Sequence, residues 1–400
     1  MRGNRKLERC HYFGEDNIML EKLGIKRIIN ASGTLTVLGG NRLAPGAIEA
    51  MREVYGRFVD MEVLSENAGR YIADLVGAAD AYITGGASSG LVLSISAAMT
   101  GGDIEKMAML PFTDGLRNRV IVQQSHTVGN PYYHIIDIPG ARLNIVGGKG
   151  NIHPSDIRDA IDEETAAIVH FLYEPQDGEV PLSKVIDIAH EKNIPVIVDA
   201  AAELPPSDNL KKIVQSGADI VIFSGGKDIG APSDTGVIMG SKRGMIQDCR
   251  KLGPLSYLYS KGERRTFIGR PMKVSKEDIM AFTAAFEAYL ATNHNERLSF
   301  MDRMSDRILK GMQEEYPNLK MEKSTLESNQ RIRPVTVPKI RIALQAGMAD
   351  ACTDILKRSE PAVYVYSIDD DLYINTQCLL EEEVDPLIQA LLTAFRRLNV

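Results

Sequence analysis

The sequence predicts an α/β protein with a mainly parallel, doubly wound sheet, followed by a smaller α+β domain. Short apolar segments alternate with helical ones from about residue 28 to residue 246, which is typical of parallel strands covered by helices. Beyond Pro317 the pattern changes to short strands and a closing helix. We therefore predict an N-terminal arm at 1–27, a large α/β domain at 28–262 and a small α+β C-terminal domain at 263–400.

Composition excludes several classes of protein. The chain has 400 residues, 44% of them hydrophobic, and a net charge of −7. An acidic balance without basic runs argues against a nucleic-acid partner. No apolar run approaches the roughly 20 residues that span a bilayer, and the charged N-terminus lacks a secretory signal. The sequence therefore predicts a soluble, cytoplasmic protein without a membrane partner.

Cysteine usage agrees with a reducing compartment. The four cysteines are far apart and form no CxxC pair. Neither a disulfide framework nor a zinc site is indicated, and we expect no metal. The four cysteines are Cys10, Cys249, Cys352 and Cys378.

The first elements after the arm are a short strand, a polar loop and two helices. The strand at Ile28 leads into a segment rich in Gly, Asn and hydroxyl groups, from Asn30 to Arg42. Such donor-rich loops often line a site, although an ordinary entry loop is an equal alternative. One helix is predicted to begin at Pro45, and Ser65 is the expected cap of the next.

The segment AYITGGASSGLVLSISAAM has the order strand, glycine-rich turn, helix. Glycines allow close backbone approach, and the N–H groups and dipole at the start of the helix favour a phosphate. The spacing is not the GxGxxG of a dinucleotide site. The helix from Leu91 to Met99 is apolar or small on all sides, so we expect it to be buried.

A single histidine follows the next predicted strand. Val120 to Gln123 form this strand, and His126 comes directly after it. A structural hydrogen bond is one interpretation. The other is stacking on a flat cofactor ring, since the residue lies at the carboxyl edge of the same sheet.

The most informative stretch runs from Val196 to Pro232. One apolar strand ends in Asp199, and the next ends in Ser224 before two glycines and Lys227. Ligands of open parallel sheets bind outside the carboxyl ends of the strands. A lysine amine forming a Schiff base with pyridoxal phosphate, and a carboxylate facing its pyridinium nitrogen, account for both residues. The alternatives are a solvated loop lysine and a helix-capping aspartate.

Three motifs resemble the fold type I pyridoxal-phosphate enzymes related to selenocysteine synthase. They are INASGTLTVLGG, SENAGRYIADLVGA with ITGGASSG, and DAAAELPP continuing to GADIVIFSGGKDIGAP. The similarity covers most of the chain from Ile28 and is greatest to the D-glucosaminate-6-phosphate ammonia-lyase branch. It implies a fold type I transferase-like fold, pyridoxal 5'-phosphate as cofactor and a homodimer or larger homo-oligomer.

The resemblance also implies roles for particular residues. Lys227 would carry the cofactor, Asp199 would pair with its ring nitrogen, and His126 would stack on the ring. Arg270 is the first candidate for a substrate carboxylate or phosphate, with Arg42 as a second candidate. The cofactor phosphate would be contacted by Gly86, Ala87, Ser88 and Ser224.

The chain departs from the family pattern in two places. Ala231, Pro232 and Ser233 follow the lysine where many relatives have Gly-Pro-Gln, which affects the substrate side. The segment before INASG is shorter than the tRNA-binding domain of a bacterial selenium transferase.

The reaction implied by the resemblance is α,β-elimination from a polar, phosphorylated β-hydroxy amino acid, giving a 2-keto acid and ammonia. A racemase or epimerase, with His126 or Tyr132 as second base, an aldolase and a selenium transferase are alternatives. A metal-dependent hydrolase using Asp199, Glu203 and His170 lacks the usual ligand spacings. A catalytically silent homologue that binds the cofactor or a protein partner is the remaining alternative.

Overall fold

The computed structural model describes residues 18–172, 178–324 and 334–400, so most of the predicted arm, Cys10 included, lies outside the described residues. Helix α1 and strand β1 are followed by helices α2 and α3. Asp60, not Ser65, caps α3, because its carboxylate accepts hydrogen bonds from the N–H groups of Glu62 and Val63. These elements are α1 (Ile18–Lys22), β1 (Ile28–Asn30), α2 (Pro45–Val54) and α3 (Met61–Val76).

Strands and helices then alternate, as the sequence predicts. The strands are β2 (Asp80–Thr84), β3 (Arg119–Gln123), β4 (Arg142–Val146), β5 (Thr165–Phe171), β6 (Val196–Asp199), β7 (Ile220–Ser224) and β8 (Gly236–Gly240). The helices are α4 (Ala87–Thr100), α5 (Ile104–Met109), α6 (Pro154–Ala160), α7 (Leu182–Glu191), α8 (Asp208–Val214) and α9 (Arg243–Leu252).

Seven strands of the described chain form one mixed sheet in the order β2-β8-β7-β6-β5-β3-β4. Neighbours are parallel except around β8, which runs antiparallel to both β2 and β7. The central strands β5, β6 and β7 are apolar and buried along nearly their whole length, as expected for a sheet covered on both faces. Their carboxyl ends meet at one edge, where Phe171 pairs in register with Asp199. The predicted α/β fold with a mainly parallel sheet is therefore confirmed.

Helices cover both faces of this sheet. Ile72 of α3 and Val185 of α7 belong to one buried cluster, together with Ile121 of β3. Leu91 of α4 belongs to a second cluster, together with Val120 of β3. Because successive strand side chains point to opposite faces, one strand contributes to both clusters.

The C-terminal part contains two helices, short strands and a closing helix. The predicted long helical stretch is two helices that are separated at Thr292 and Asn293. Strands β11, β12, β15 and β14 of the described chain form an antiparallel sheet in that order, and β1 pairs in parallel with β13. The division into domains stays a prediction. The elements are β9 (Leu258–Ser260), β10 (Glu263–Arg265), α10 (Lys276–Ala291), α11 (His294–Glu315), β11 (Met321–Lys323), β12 (Lys339–Ala343), α12 (Met348–Lys357), β13 (Ala362–Tyr364), β14 (Tyr366–Ile368), β15 (Asp371–Asn375) and α13 (Val384–Leu398).

Two further observations bear on the composition. Cys249, Cys352 and Cys378 are buried and free. Among the residues that the structure describes, no helix combines the length and the apolar character needed to cross a membrane.

Candidate active site

Lys227 lies in a tightly packed turn directly after β7. Residues Gly225–Ile229 form a π-helical turn that is interrupted at Lys227, whose φ and ψ are −95° and −129°. A Cβ atom on Gly226 would lie 2.4 Å from Cα of Ser233, so only glycine fits there. Asn41 holds the turn from another side: its N–H donates to Gly226 O at 2.8 Å, and its side-chain amide donates to Lys227 O at 3.1 Å. The backbone on both sides of the lysine is therefore fixed.

A cavity of about 290 Å³ opens at the carboxyl edge of the sheet beside this turn. We call it the main cavity. All the residues predicted to bind the cofactor line it, namely Gly86, Ala87, Ser88, Asp199, Ser224 and Lys227. The structure thus brings together residues that are up to 141 positions apart in the sequence, from Gly86 to Lys227.

One wall of the main cavity is built to accept an anion. Gly86, just before α4, has φ +89° and ψ 163°, a conformation open essentially to glycine alone. No side chain caps the helix, so its first N–H groups are available to a ligand. A Cβ on Gly236 of β8 would lie 2.6 Å from the nitrogen of Ala87, so the absence of a side chain there lets the two backbones meet. These features fit a phosphate.

Lys227 and Asp199 influence one another in this cavity. Burial lowers the pKa of the Lys227 amine, while the negative charges of Asp199 and Glu203 act against that shift. Burial raises the pKa of Asp199, against the effects of a hydrogen bond from the Ala201 N–H at 2.9 Å and of the Lys227 charge. An amine and a carboxylate therefore lie close enough to interact, in surroundings that disfavour both charges.

His126 is close to this site but does not line the main cavity. Its side chain is 1% exposed, and its Nε2 lies 3.3 Å from Oε1 of Glu179. Its ring packs edge-on against His170, with 4.5 Å between the ring centroids. Phe171, which follows His170, does line the cavity. The stacking role of His126 stays a prediction.

His126, His170 and Glu179 form a cluster whose candidate ligand atoms lie within 4.8 Å of one another. A metal would need the lone pairs of both Nε2 atoms. However, Nδ1 of His126 faces the N–H of Phe171 at 3.4 Å, and Nδ1 of His170 faces Nε2 of Gln123 at 3.4 Å. Each Nδ1 is thus an acceptor, which favours the proton on Nε2 of each ring. Among the described residues Nε2 of His126 makes no hydrogen bond, and Nε2 of His170 lies 3.7 Å from Oε1 of Glu179. The expected absence of a metal stays a prediction.

The same cluster bears on the metal-dependent hydrolase alternative. Burial, together with the neighbouring His126 ring, lowers the pKa of His170 well below its usual range. His170 is grouped with Glu179, and in the part of the chain that is described neither Asp199 nor Glu203 belongs to such a cluster. The structure does not gather the three residues which that alternative requires.

The two predicted substrate arginines contact protein groups outside the main cavity. Nη2 of Arg42 donates to both oxygens of the buried Glu383 carboxylate, at 3.1 Å each, and Nη1 donates to the carbonyl of Cys378. Arg270 donates to Pro254 O at 2.8 Å and lies over the ring of Tyr257. Their role in substrate binding stays a prediction.

A second cavity, of about 340 Å³, adjoins the main one and shares Lys227, Thr36, Tyr132 and Ala202 with it. Among the described residues that line the two cavities, Lys227 is the only cationic one. Uncharged polar side chains in the second cavity are Ser32, Thr34, Thr36, Tyr132, Tyr366 and Asn375.

Sequence reasoning did not assign several residues that line the main cavity. Phe171 ends β5 as Asp199 ends β6, so the same strand-end rule identifies it once the strand order is known. Asn130 and Asp234 lie in loops, and no local pattern marked them.

The family model for L-seryl-tRNA selenium transferase matches residues 128–304. The chain is 33% identical to D-glucosaminate-6-phosphate ammonia lyase of Salmonella typhimurium over 273 residues, which cover 67% of this chain and 69% of that protein. It is 32% identical to 5'-C-glycyluridine monooxygenase-decarboxylase of a Streptomyces species over 290 residues, 71% of this chain and 68% of that one.

A solved structure of D-glucosaminate-6-phosphate ammonia-lyase has a similar fold. It superposes with a TM-score of 0.79 at 26% identity, covering 96% of this chain and 99% of the other. The similarity thus extends over nearly the whole length of both chains, including the C-terminal part that carries the small sheet.

Proposed function

We propose, because this chain belongs to the fold type I pyridoxal-phosphate enzymes related to selenocysteine synthase, that it is an ammonia-lyase acting on a polar β-hydroxy amino acid. The predicted family is confirmed, as is pyridoxal phosphate as the cofactor. The finer proposal is a phosphorylated substrate similar to D-glucosaminate 6-phosphate. Its support is the name of a relative that is 33% identical to this chain.

The observation that carries the proposal is the placement of Lys227 and Asp199 in one cavity, after adjacent parallel strands. Lys227 would hold pyridoxal phosphate through its amine, and the cofactor would supply an electron sink for charge at the substrate Cα. Asp199 would hold its ring nitrogen. Gly86, Ala87, Ser88 and Ser224 would hold its phosphate.

Lys227 is the proposed proton carrier. Because burial lowers the pKa of Nζ, a larger fraction of this amine is neutral near pH 7 than for an exposed lysine. Neutral Nζ accepts the proton from Cα, and the resulting ammonium gives a proton to the β-hydroxyl group, which leaves as water. The dehydrated amino acid then takes up water and releases ammonia. The sum is one β-hydroxy amino acid giving one 2-keto acid and one ammonia.

The second cavity supports a hydroxylated substrate. Hydroxyl and amide side chains dominate its polar lining, and they can donate to and accept from substrate hydroxyl groups. Arg270 and Arg42 remain the proposed contacts of the phosphate group of the substrate, since the guanidinium fork suits such a group.

The test compares the wild-type holoenzyme with Lys227→Ala and with Lys212→Ala, an exposed lysine of α8, as the matched control. We expect borohydride to fix the cofactor on Lys227 in the wild type and the control, as located by peptide mass spectrometry, and not in Lys227→Ala. With D-glucosaminate 6-phosphate and a panel of D- and L-β-hydroxy amino acids, ammonia and 2-keto acid should form in equal amounts. Their rate should fall roughly 100-fold or more in Lys227→Ala, because general acid–base catalysis contributes about that much.

Cofactor fixed on Lys227 without ammonia from any β-hydroxy amino acid would reject the lyase proposal and leave the cofactor assignment intact. Analysis of the recovered substrate for inverted enantiomer separates a racemase or epimerase from a lyase. Aldehyde release instead of ammonia would indicate an aldolase.

Oxidative decarboxylation is the second candidate. It is favoured by the 32% identity to a monooxygenase-decarboxylase over 71% of this chain. Oxygen uptake and carbon dioxide release that both depend on the amino acid would select this reaction over elimination.

A further inference from the structure

The residue after Lys227 is a buried carboxylate that is held by the C-terminal part of the chain. Asp228 is 4% exposed. Arg297 of α11 donates to its Oδ1 at 2.6 Å and to its Oδ2 at 2.8 Å. Tyr289 of α10 donates to Oδ2 at 2.7 Å, and Gln377, just after β15, donates to Oδ1 at 2.9 Å. Both carboxylate oxygens are therefore fully engaged.

Lys227 and Asp228 face different surroundings. Lys227 lines both cavities, whereas Asp228 is not among the described residues that line either of them. The carboxylate is enclosed by Arg297, Tyr289 and Gln377. We call Asp228 and these three residues the clamp. A movement of the clamp would thus displace the lysine amine through the backbone of a single turn.

The clamp is better explained by geometry than by stability. Relative to an apolar pair of similar size, a buried ion pair adds little net stability, because desolvation of both charges offsets their attraction, although removal of one partner destabilises the fold. A two-pronged guanidinium–carboxylate contact does, however, fix distance and orientation. Here it fixes the turn Gly225–Ile229, whose opposite side is held by Asn41.

The clamp also joins the lysine to the region that closes the second cavity. Pro334, Tyr366 and Asn375 line that cavity together with Lys227. Asn375 accepts a hydrogen bond from the N–H of Gln377, which itself binds Asp228. A continuous set of contacts therefore runs from the wall of the second cavity to the residue beside the lysine.

We propose that Asp228 and Arg297 are positioning residues, which set the place of the Lys227 amine and tie it to the C-terminal wall of the second cavity. They act through the backbone of the turn and not by contact with cofactor or substrate. The proposal goes beyond the reaction proposed above, since it concerns attachment of the cofactor and requires no substrate.

The experiment measures how fast pyridoxal phosphate becomes attached to Lys227. Cofactor-free wild type, Arg297→Gln, Arg297→Lys and Arg307→Gln are mixed with pyridoxal phosphate, and samples are quenched with borohydride at successive times. Labelled Lys227 peptide is quantified by mass spectrometry, at a temperature well below the lowest melting temperature of the set. Arg307 is the matched control, because it lies on the same helix and pairs at the surface with Asp385.

We expect attachment to be roughly 10- to 100-fold slower in Arg297→Gln, since misplacement by about 1 Å can cost a factor of about 100. Arg297→Lys retains the charge and should recover part of the rate. Arg307→Gln should match the wild type.

A wild-type attachment rate in Arg297→Gln, whatever its melting temperature, would overturn the proposal and leave the pair as an ordinary packing contact. If Arg297→Gln does not fold, Tyr289→Phe takes its place, because it removes a single hydroxyl donor from Asp228. Slower attachment in that variant supports the proposal, and an unchanged rate overturns it. Since no substrate is present, failure here is distinct from failure of the proposed reaction.

Discussion

At the scale of single residues, the site is a set of charges whose surroundings oppose ionisation. Burial shifts the pKa of Lys227 down and that of Asp199 up, and each charge partly restores the other. Asp228, the direct neighbour of the lysine, behaves differently. Burial alone would raise its pKa, but the hydrogen bonds and charge of Arg297, with those from Gln377 and Tyr289, outweigh burial and lower it. One residue step thus separates an amine whose pKa is lowered by burial from a carboxylate whose pKa is lowered by its hydrogen-bond partners.

This lowered pKa predicts how stability depends on pH. An aspartate whose pKa is lower in the folded state than its unfolded value of about 3.9 stabilises the fold above that pH, and the contribution is lost as the pH falls through the folded pKa. Asp228→Asn should therefore be less stable than the wild type at pH 7, and the difference should shrink below roughly pH 4. Urea unfolding at a series of pH values measures it, with Asp385→Asn, from the exposed pair with Arg307, as control. A difference that stays constant with pH would contradict this account.

At the scale of elements, the site depends on three close approaches between backbone segments. Gly226 of the lysine turn packs on Ser233, and a Cβ on Gly40 would lie 2.5 Å from Gly226 O. Gly236 of β8 packs on the start of α4 in the same way. Missing side chains at these contacts let the lysine turn and the start of α4 reach one cavity.

Gly226→Ala should therefore damage both fold and site. The added methyl group meets backbone at Ser233, and overpacking of this kind costs roughly 1–3 kcal/mol of unfolding free energy. We also expect less cofactor to be fixed on Lys227 by borohydride. Gly244→Ala, at an α9 position with open space around it, should leave the unfolding free energy unchanged or raise it by up to about 1 kcal/mol, because alanine favours a helix. Equal unfolding free energies for the two variants would refute the steric argument.

At the scale of the whole molecule, a segment between α2 and α3 leaves large apolar side chains in solvent. Phe58 is fully exposed and Tyr55 is 76% exposed. Exposed aromatic groups of this kind mark interaction surfaces. The family resemblance predicts a homo-oligomer, which stays a prediction. We propose that this segment packs against a second copy of the chain in such an assembly.

Light scattering coupled to size-exclusion chromatography tests the proposal. Wild-type protein should elute as a dimer or larger assembly. Phe58→Ser should weaken the association about tenfold or more, since burying a phenylalanine contributes about 1.5–3 kcal/mol. Phe112→Ser, which changes an equally large side chain that is 77% exposed elsewhere, is the control. A wild-type mass and concentration dependence for Phe58→Ser would place the interface elsewhere.

The sequence by itself determined the alternation of strands and helices, the glycine turn before α4 and the polar strand ends at Asp199 and Lys227. These follow from contacts between near neighbours, which periodicity and turn chemistry record. Only the tertiary structure decided that β8 runs antiparallel, that Arg42 pairs with Glu383 and that Asp228 is held by Arg297 and Gln377. Those partners lie far apart along the chain, and packing of the C-terminal part on the sheet selects them. No local pattern encodes a contact whose free energy depends on burial that the complete fold provides.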